Sequence, residues 1–296
     1  MNPAAVPGPG KLSLVATPIG NLEDITLRAL RVLKEADVIA AEDTRRTGKL
    51  LSHYRIPTPV ISYYKDVERR RLAPLLHKLH SGQKVALVTD AGTPAVSDPG
   101  ALLVGEARRQ GIPVEVVPGP SALLAALAGS GISGPAFSFH GFLEARSSAR
   151  RRQLQALKDR PEILVFFLSP HRLPETLRDA EEALGEGRPA VLCREMTKRF
   201  EEYAGGTLAE LRTSAEKLEP RGEYTLVVSG ATASPAECRP ESLEDHLARL
   251  QAEGCSLNQA VASAARERGL NRREVYALAH SSRRINKSLK KQPDLQ

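Results

Sequence analysis

Between residues 11 and 130 the chain alternates short, almost uninterrupted apolar runs with amphipathic stretches, and that alternation leaves few architectures open. LSLVAT at 12–17, VIAAE at 38–42, VIS at 60–62, KVALVT at 84–89 and VEVV at 114–117 read as strands. Helices are predicted over 25–36, 47–54, 67–81, 100–110 and 121–128, the first with Asp24 as its N-cap. A strand wetted on one face alternates apolar and polar residues, whereas one buried on both faces does not. The pattern therefore predicts an α/β fold with a mostly parallel sheet covered by helices on both sides.

A second section, 135–230, carries strands at 136–142, 163–168, 190–195 and 224–230 and helices at 148–158, 173–184 and 208–218. Its hairpin-like connections predict a mixed sheet. GSGISG at 129–134 is the expected hinge between the two sections. Past a linker at 231–242, short helices are predicted at 242–253, 256–268 and 271–279, with Ser256 and Asn271 as N-caps and Gly269 as a stop. This helical extension, 242–280, reads either as a helix–turn–helix laid on nucleic acid or as a small bundle. Residues 1–10 and 281–296 read as flexible tails.

With 296 residues and 41% apolar side chains, both sections can bury a core. Lys and Arg number 42 against 35 Asp and Glu, a formal charge of +7, which favours an acidic partner such as nucleic acid. The positive charge concentrates at 146–152 and 266–291. Cys193, Cys238 and Cys255 are too scattered for a disulfide framework or a zinc site, and the seven histidines form no ligand spacing. The start has no apolar core of a signal peptide and no run reaches membrane-spanning length, so a cytoplasmic protein is expected.

In open α/β sheets ligands bind at the carboxyl ends of the strands. There the chain places ATPIGNLED (16–24), EDTRRT (42–47), TDAGTPAVSDPG (89–100) and VPGPSAL (117–123). One such loop is ordinary turn chemistry, but four at one rim are not. In the longest, Gly92 permits close approach while Pro94 and Pro99 stiffen the path. It offers main-chain groups in a fixed array but no Lys for a triphosphate, and no GxGxxG follows the first strand for a dinucleotide.

Together with FFLSPHR (166–172), REMTK (194–198) and GEYTLVV (222–228), these loops closely resemble the ribosomal RNA small-subunit methyltransferase I family, within the tetrapyrrole methylase superfamily of class III S-adenosylmethionine methyltransferases. The resemblance implies a two-domain fold (11–130 and 135–230), a homodimer, and 2′-O-methylation of a cytidine in the decoding region of 16S ribosomal RNA. It places the cofactor against Pro18, Asp90, Ala91, Gly92, Thr93 and Val96, with Ser121, Ala122, Phe167 and Leu168 as further walls and Arg194, Gly222 and Tyr224 closing the pocket.

Methyl transfer from a sulfonium needs in-line approach and no metal, but a ribose hydroxyl needs a base or a cation beside it. Candidates are Glu42, Asp43, Asp98, Glu195 and Lys198. Each has a plainer reading: Asp98 before Pro99 as a turn or cap, Asp43 with Arg45 as an ion pair, Glu195 with Lys198 as a pair at a strand end. His171 reads as a base or, in SPH before a helix, as part of a cap. Arg45 and Arg172 are candidates for phosphate contacts, as are Arg150, Arg151 and Arg152 of the basic run, which otherwise reads as a solvated helix face. With 4% aromatics and no Trp, recognition by extensive base stacking is not expected. Two rival functions remain open: methylation of a porphyrinoid, and RNA binding without catalysis in ribosome assembly.

Overall fold

The computed structural model describes residues 10–231 and 243–279, apart from 253, 274, 277 and 278. The predicted leader, linker and tail, together with Cys238 and most of the basic C-terminal run, lie outside the described residues.

The first sheet contains β1 (Lys11–Val15), β2 (Val38–Ala41), β3 (Val60–Ser62), β4 (Lys84–Val88) and β5 (Val114–Val117), in the order β3-β2-β4-β1-β5. Every pairing in it is parallel. Helices α1 (Leu27–Glu35) and α2 (Thr44–His53) cover one face through Ala29, Val32 and Leu50. Helices α3 (Glu68–His80) and α4 (Ala101–Arg109) cover the other through Leu75, Leu79 and Leu103. Burial on both faces explains why these strands lack polar alternation.

Helix α5 (Ala122–Ser130) leads to the second sheet: β6 (Phe137–Phe142), β7 (Ile163–Leu168), β8 (Pro189–Arg194), β9 (Glu202–Thr207) and β10 (Tyr224–Val228), ordered β6-β7-β10-β8-β9. Only β6–β7 is parallel, so the sheet is mixed as expected. Its outer face packs Leu164, Phe166, Leu226 and Val228 under α6 (Ser147–Gln155), α7 (Leu173–Leu184) and α8 (Leu208–Ala215). Its inner face sets Ile163, Val165, Val191 and Val227 against Ala126 of α5 and Ile19 of the loop after β1.

The run at 129–134 is not a free hinge. Gly129 belongs to α5, where an added Cβ would stand 2.4 Å from the Tyr203 ring, and Gly131, at φ +68°, ends the helix. Both sheets lie in one compact unit that ends at Ala231.

A second unit follows, with α9 (Leu243–Ala252) and α10 (Leu257–Arg268) packed through Leu247, Leu250, Val261 and Ala264. Ser256 forms a capping box with Gln259, and Gly269 stops α10 at φ +63°. No helix among the described residues is long and apolar enough to cross a membrane.

Candidate active site

The connections from the neighbouring strands β1 and β4 leave toward opposite faces of the first sheet, which opens a crevice at their carboxyl ends. The two loops are stitched together across it. Thr17 N donates to Gly92 O and Gly92 N to Thr17 O, each at 2.9 Å, and the Thr17 hydroxyl donates to Thr89 O at 3.1 Å. Gly92 holds φ +84° in this bridge, while an added Cβ would meet only ordinary contacts, so glycine is required there for its dihedral.

Three carboxylates gather on the crevice floor. Glu42 follows β2 and accepts from the Thr89 hydroxyl at 2.6 Å. Asp90 accepts from Asp43 N at 2.9 Å and faces Arg46 Nη1 at 3.4 Å. Asp98 follows two non-glycine residues held at positive φ, Ala95 at 66° and Ser97 at 64°. Strain of this kind persists only where surrounding structure holds it; here Gly100 N donates to Glu68 Oε1 at 2.7 Å, and an added Cβ at Gly141 of β6 would stand 2.8 Å from Ser97 Oγ. Burial, and next the charge of Glu42, push the Asp98 carboxyl up to about 6. Burial likewise raises Asp90.

The second sheet supplies the opposite wall. Phe167 of β7 pairs with Thr225 of β10, and Phe139 and Phe142 meet the Phe167 ring edge-on at 4.8 and 5.6 Å. The segment after β8 is locked: Glu195 (φ 49°) and Thr197 (φ 65°) are left-handed, and Glu195 N donates to Glu223 O at 3.0 Å while Glu223 N donates to Glu195 Oε1 at 2.9 Å. Gly20 lies under this segment so closely that a Cβ would meet Lys198 and Thr197 at 2.5 and 2.6 Å. Between the walls lies a cleft of about 350 Å³.

Of the expected residues, Glu42, Asp90, Ala91, Asp98, Ala122, Phe167, Leu168, Gly222 and Tyr224 line this cleft. Leu168 and Tyr224 belong to the core on the outer face of the sheet, so they reach the cleft through main chain. Pro18 instead lines a smaller adjoining hollow with Arg46 and Lys49, which shares Thr89 and Asp90 with the cleft. Gly92, Thr93 and Val96 are not part of the cleft lining: Gly92 bridges to Thr17, and Val96 is exposed at 43%. Ser121 caps α5, accepting from Leu124 N at 3.4 Å. Arg194 borders a separate hollow and lies 3.8 Å from Glu202.

Asp43 caps α2 and binds Arg45, which holds its carboxyl down at about 2. Lys198 bridges Glu195 and Glu223, each at 3.0 Å. Burial pushes Glu195 up, but Lys198 and the Glu223 amide outweigh it and leave the carboxyl lowered.

Among the expected RNA contacts, Arg45 is 88% exposed, Arg152 is exposed and Arg172 half-buried. Arg151 is half exposed and pairs with Asp179 and Glu182. Arg150 must be withdrawn: it is 1% exposed and bound to Asp179 at 2.6 Å, buried beneath α6 where no phosphate reaches it. Sequence reasoning missed Ile19, Thr89, Ser169, Pro170, Met196 and Thr225 on the cleft wall, while Phe142, read from sequence as a core or cofactor-wall residue, lines it, as does Glu223 of the 222–224 segment. All six missed residues fall inside the quoted motifs. Among the described residues no group of three or more His, Cys, Asp or Glu is arranged to hold a metal ion.

Residues 11–212 match the family model of tetrapyrrole (corrin/porphyrin) methylases. A Synechocystis protein named ribosomal RNA small subunit methyltransferase I is 44% identical, across 91% of this chain and 97% of its own length. The chain belongs to the ribosomal RNA small subunit methyltransferase I family. A Thermotoga maritima member of that name is 51% identical across 75% of this chain and 99% of its own. Among solved structures, uroporphyrin-III C-methyltransferase from Thermus thermophilus, complexed with S-adenosylhomocysteine, shares the fold at TM-score 0.56 and 24% identity, covering 74% of this chain and 97% of that one.

Proposed function

We propose that this chain is an S-adenosylmethionine-dependent methyltransferase that methylates the ribose 2′-hydroxyl of a cytidine in the decoding region of 16S ribosomal RNA, acting in the bacterial cytoplasm. The observation that carries the reading is the cleft: a floor of carboxylates faces an apolar wall, and one of those carboxylates titrates near neutrality. The donor set fits the cofactor. Asp90 lies where an ammonium or sulfonium charge would be neutralised, and Ile19, Phe167 and Met196 offer apolar surface for an adenosine. When bound, S-adenosylmethionine supplies an electrophilic methyl and its own leaving group.

The chain's own task is to position the hydroxyl and take its proton. A base works best when its pKa lies near the working pH. That argument selects Asp98, at about 6, over Asp43, at about 2. Glu195 is committed to Lys198 and to the Glu223 amide. The Asp98 carboxylate accepts the 2′-hydroxyl proton as the oxygen attacks, and Glu42 keeps its affinity for that proton high. Arg45, Arg46 and Lys49 on α2 stand near the same rim, where phosphates of the substrate strand bind.

The test uses methyl-labelled S-adenosylmethionine with small ribosomal subunits, naked 16S RNA and a uroporphyrinogen as separate acceptors. Label released as 2′-O-methylcytidine after nucleoside digestion is expected. Label on the porphyrinoid, or cofactor binding with no transfer to RNA, overturns the proposal.

The chain is also proposed to act as a homodimer. Helix α5 is apolar on nearly every side, and Leu124 on it remains 55% exposed, while Val116 on the edge strand β5 is 49% exposed. Sedimentation velocity should give the dimer mass for the native chain and the monomer mass for a Leu124→Glu, Val116→Lys variant.

A further inference from the structure

We propose that the hollow around Phe200 holds an unstacked base of single-stranded RNA beside the methyl-transfer cleft, a site that rests on the RNA reading above. Phe200 is 71% exposed, though it follows a segment whose apolar Met196 is buried. A lone exposed apolar side chain is common and needs no explanation. Three observations set this one apart.

Its surroundings are rigid rather than loose. The left-handed Glu195 and Thr197, the paired main-chain and side-chain bonds between Glu195 and Glu223, and the Lys198 bridge fix the segment that presents it. The ring already carries a cation: Arg199 lies over it, 5.5 Å from guanidinium carbon to centroid. And the ring borders a hollow of about 400 Å³ with Arg194, Glu195, Arg221 and Gly222. Gly222 also lines the main cleft, so a ligand in the hollow adjoins one in the cleft.

The chemistry of that hollow is that of single-strand recognition: a π-face, a guanidinium that stacks, and further arginines for the backbone. Arg221 is 76% exposed and its partner Glu219 is 67% exposed, so their pair is weak and readily exchanged for a phosphate. A nucleotide splayed into the cleft loses stacking with its neighbours. A neighbour regains it on Phe200, which stabilises the extruded state without choosing a sequence, since every base has a π-face.

The chain contains no tryptophan, which makes the test direct. In Phe200→Trp the indole is the sole tryptophan reporter, and its fluorescence should quench on titration with a single-stranded RNA spanning the target cytidine. Phe200→Ala and Phe200→Leu should each weaken RNA affinity roughly tenfold, with Phe200→Trp close to native. Cofactor affinity by calorimetry should be unchanged in all three. Native affinity in Phe200→Leu, or RNA binding by Phe200→Trp with no quench, overturns the stacking site and leaves the methyltransferase reading standing. A fluorescence shift that follows protein concentration and ignores RNA makes Phe200 a contact between copies and also overturns it. A native chain that takes up cofactor but binds no RNA overturns both readings.

Discussion

Asp98→Asn is expected to lower the rate of methyl transfer by two to four orders of magnitude while making the protein more stable at neutral pH. The rate loss is the usual contribution of a positioned general base. The stability gain follows from the same environment. Burial and the charge of Glu42 raise the folded-state pKa of Asp98 from 3.8 to about 6. A raised carboxyl favours the fold while protonated. Its contribution is full below 3.8 and is lost as pH rises through about 6. At pH 7.5 the native enzyme therefore holds an ionised carboxylate at a cost of roughly 2 kcal/mol, with its partial exposure allowed for, and asparagine removes that cost. Melting curves should separate the two proteins at pH 7.5 and bring them together near pH 4. The kcat/KM of the native enzyme should climb with pH and level above about 6, and the variant should lack that limb. Asp43→Asn, altering a carboxyl that Arg45 already holds near 2, should leave the limb in place. A limb that survives in Asp98→Asn would remove Asp98 from the chemistry.

The first sheet was legible because its central strands, buried on both faces, are written as largely apolar runs; the edge strands β3 and β5, and β7 of the second sheet, were placed at their observed bounds. Helix starts were less so. The first helix is capped by Thr26, not Asp24, which closes a short 3₁₀ turn after Asn21. Helix α2 begins at Thr44, not 47, because Asp43 caps it and Thr44, Arg45 and Arg46 belong to its first turn. Strand β9 went unseen: EYAGGT has two glycines and little to bury, and its extended form comes from a six-residue antiparallel register with β8. At the site, the loops could be read but the faces could not. Thr225 and Tyr224 are adjacent, and only the packing of the sheet reveals that one looks into the cleft and the other into the core. Ile19 and Met196 are apolar residues in turns, where hydrophobic periodicity carries no information.

The basic run at 146–152 failed for a related reason, and the failure yields the largest expected stability effect. Alternate positions of a charged helix look alike in sequence, yet Arg150 is 1% exposed while Arg151 is about half exposed. Both reach Asp179, 29 residues onward from Arg150, and only the packing of the helices buries one guanidinium and leaves the other at the surface. Arg150 Nε and Nη2 grip Asp179 Oδ2 at 2.7 and 2.6 Å, and Nη1 donates to the carbonyls of Glu144 and Ala145, both at 3.1 Å. The guanidinium thereby ties the chain after β6 to α7. Removing one member of a buried pair costs about 3–5 kcal/mol where the other charge is left uncompensated. Here Arg151 and Ser147 still reach Asp179, so Arg150→Ala should lose about 3 kcal/mol, the low end of that range. Arg150→Lys should recover little, because an ammonium cannot reproduce a fork that reaches a carboxylate and two carbonyls together. Arg152→Ala should leave the melting temperature almost unchanged yet lower the salt slope of RNA binding by about one, as loss of a single phosphate contact does. In denaturant titrations and salt-dependent binding measured side by side, the two arginines should exchange roles completely: one moves only stability, the other only the slope. An Arg150→Ala protein as stable as the native chain, with a reduced slope, would return Arg150 to the RNA-facing surface.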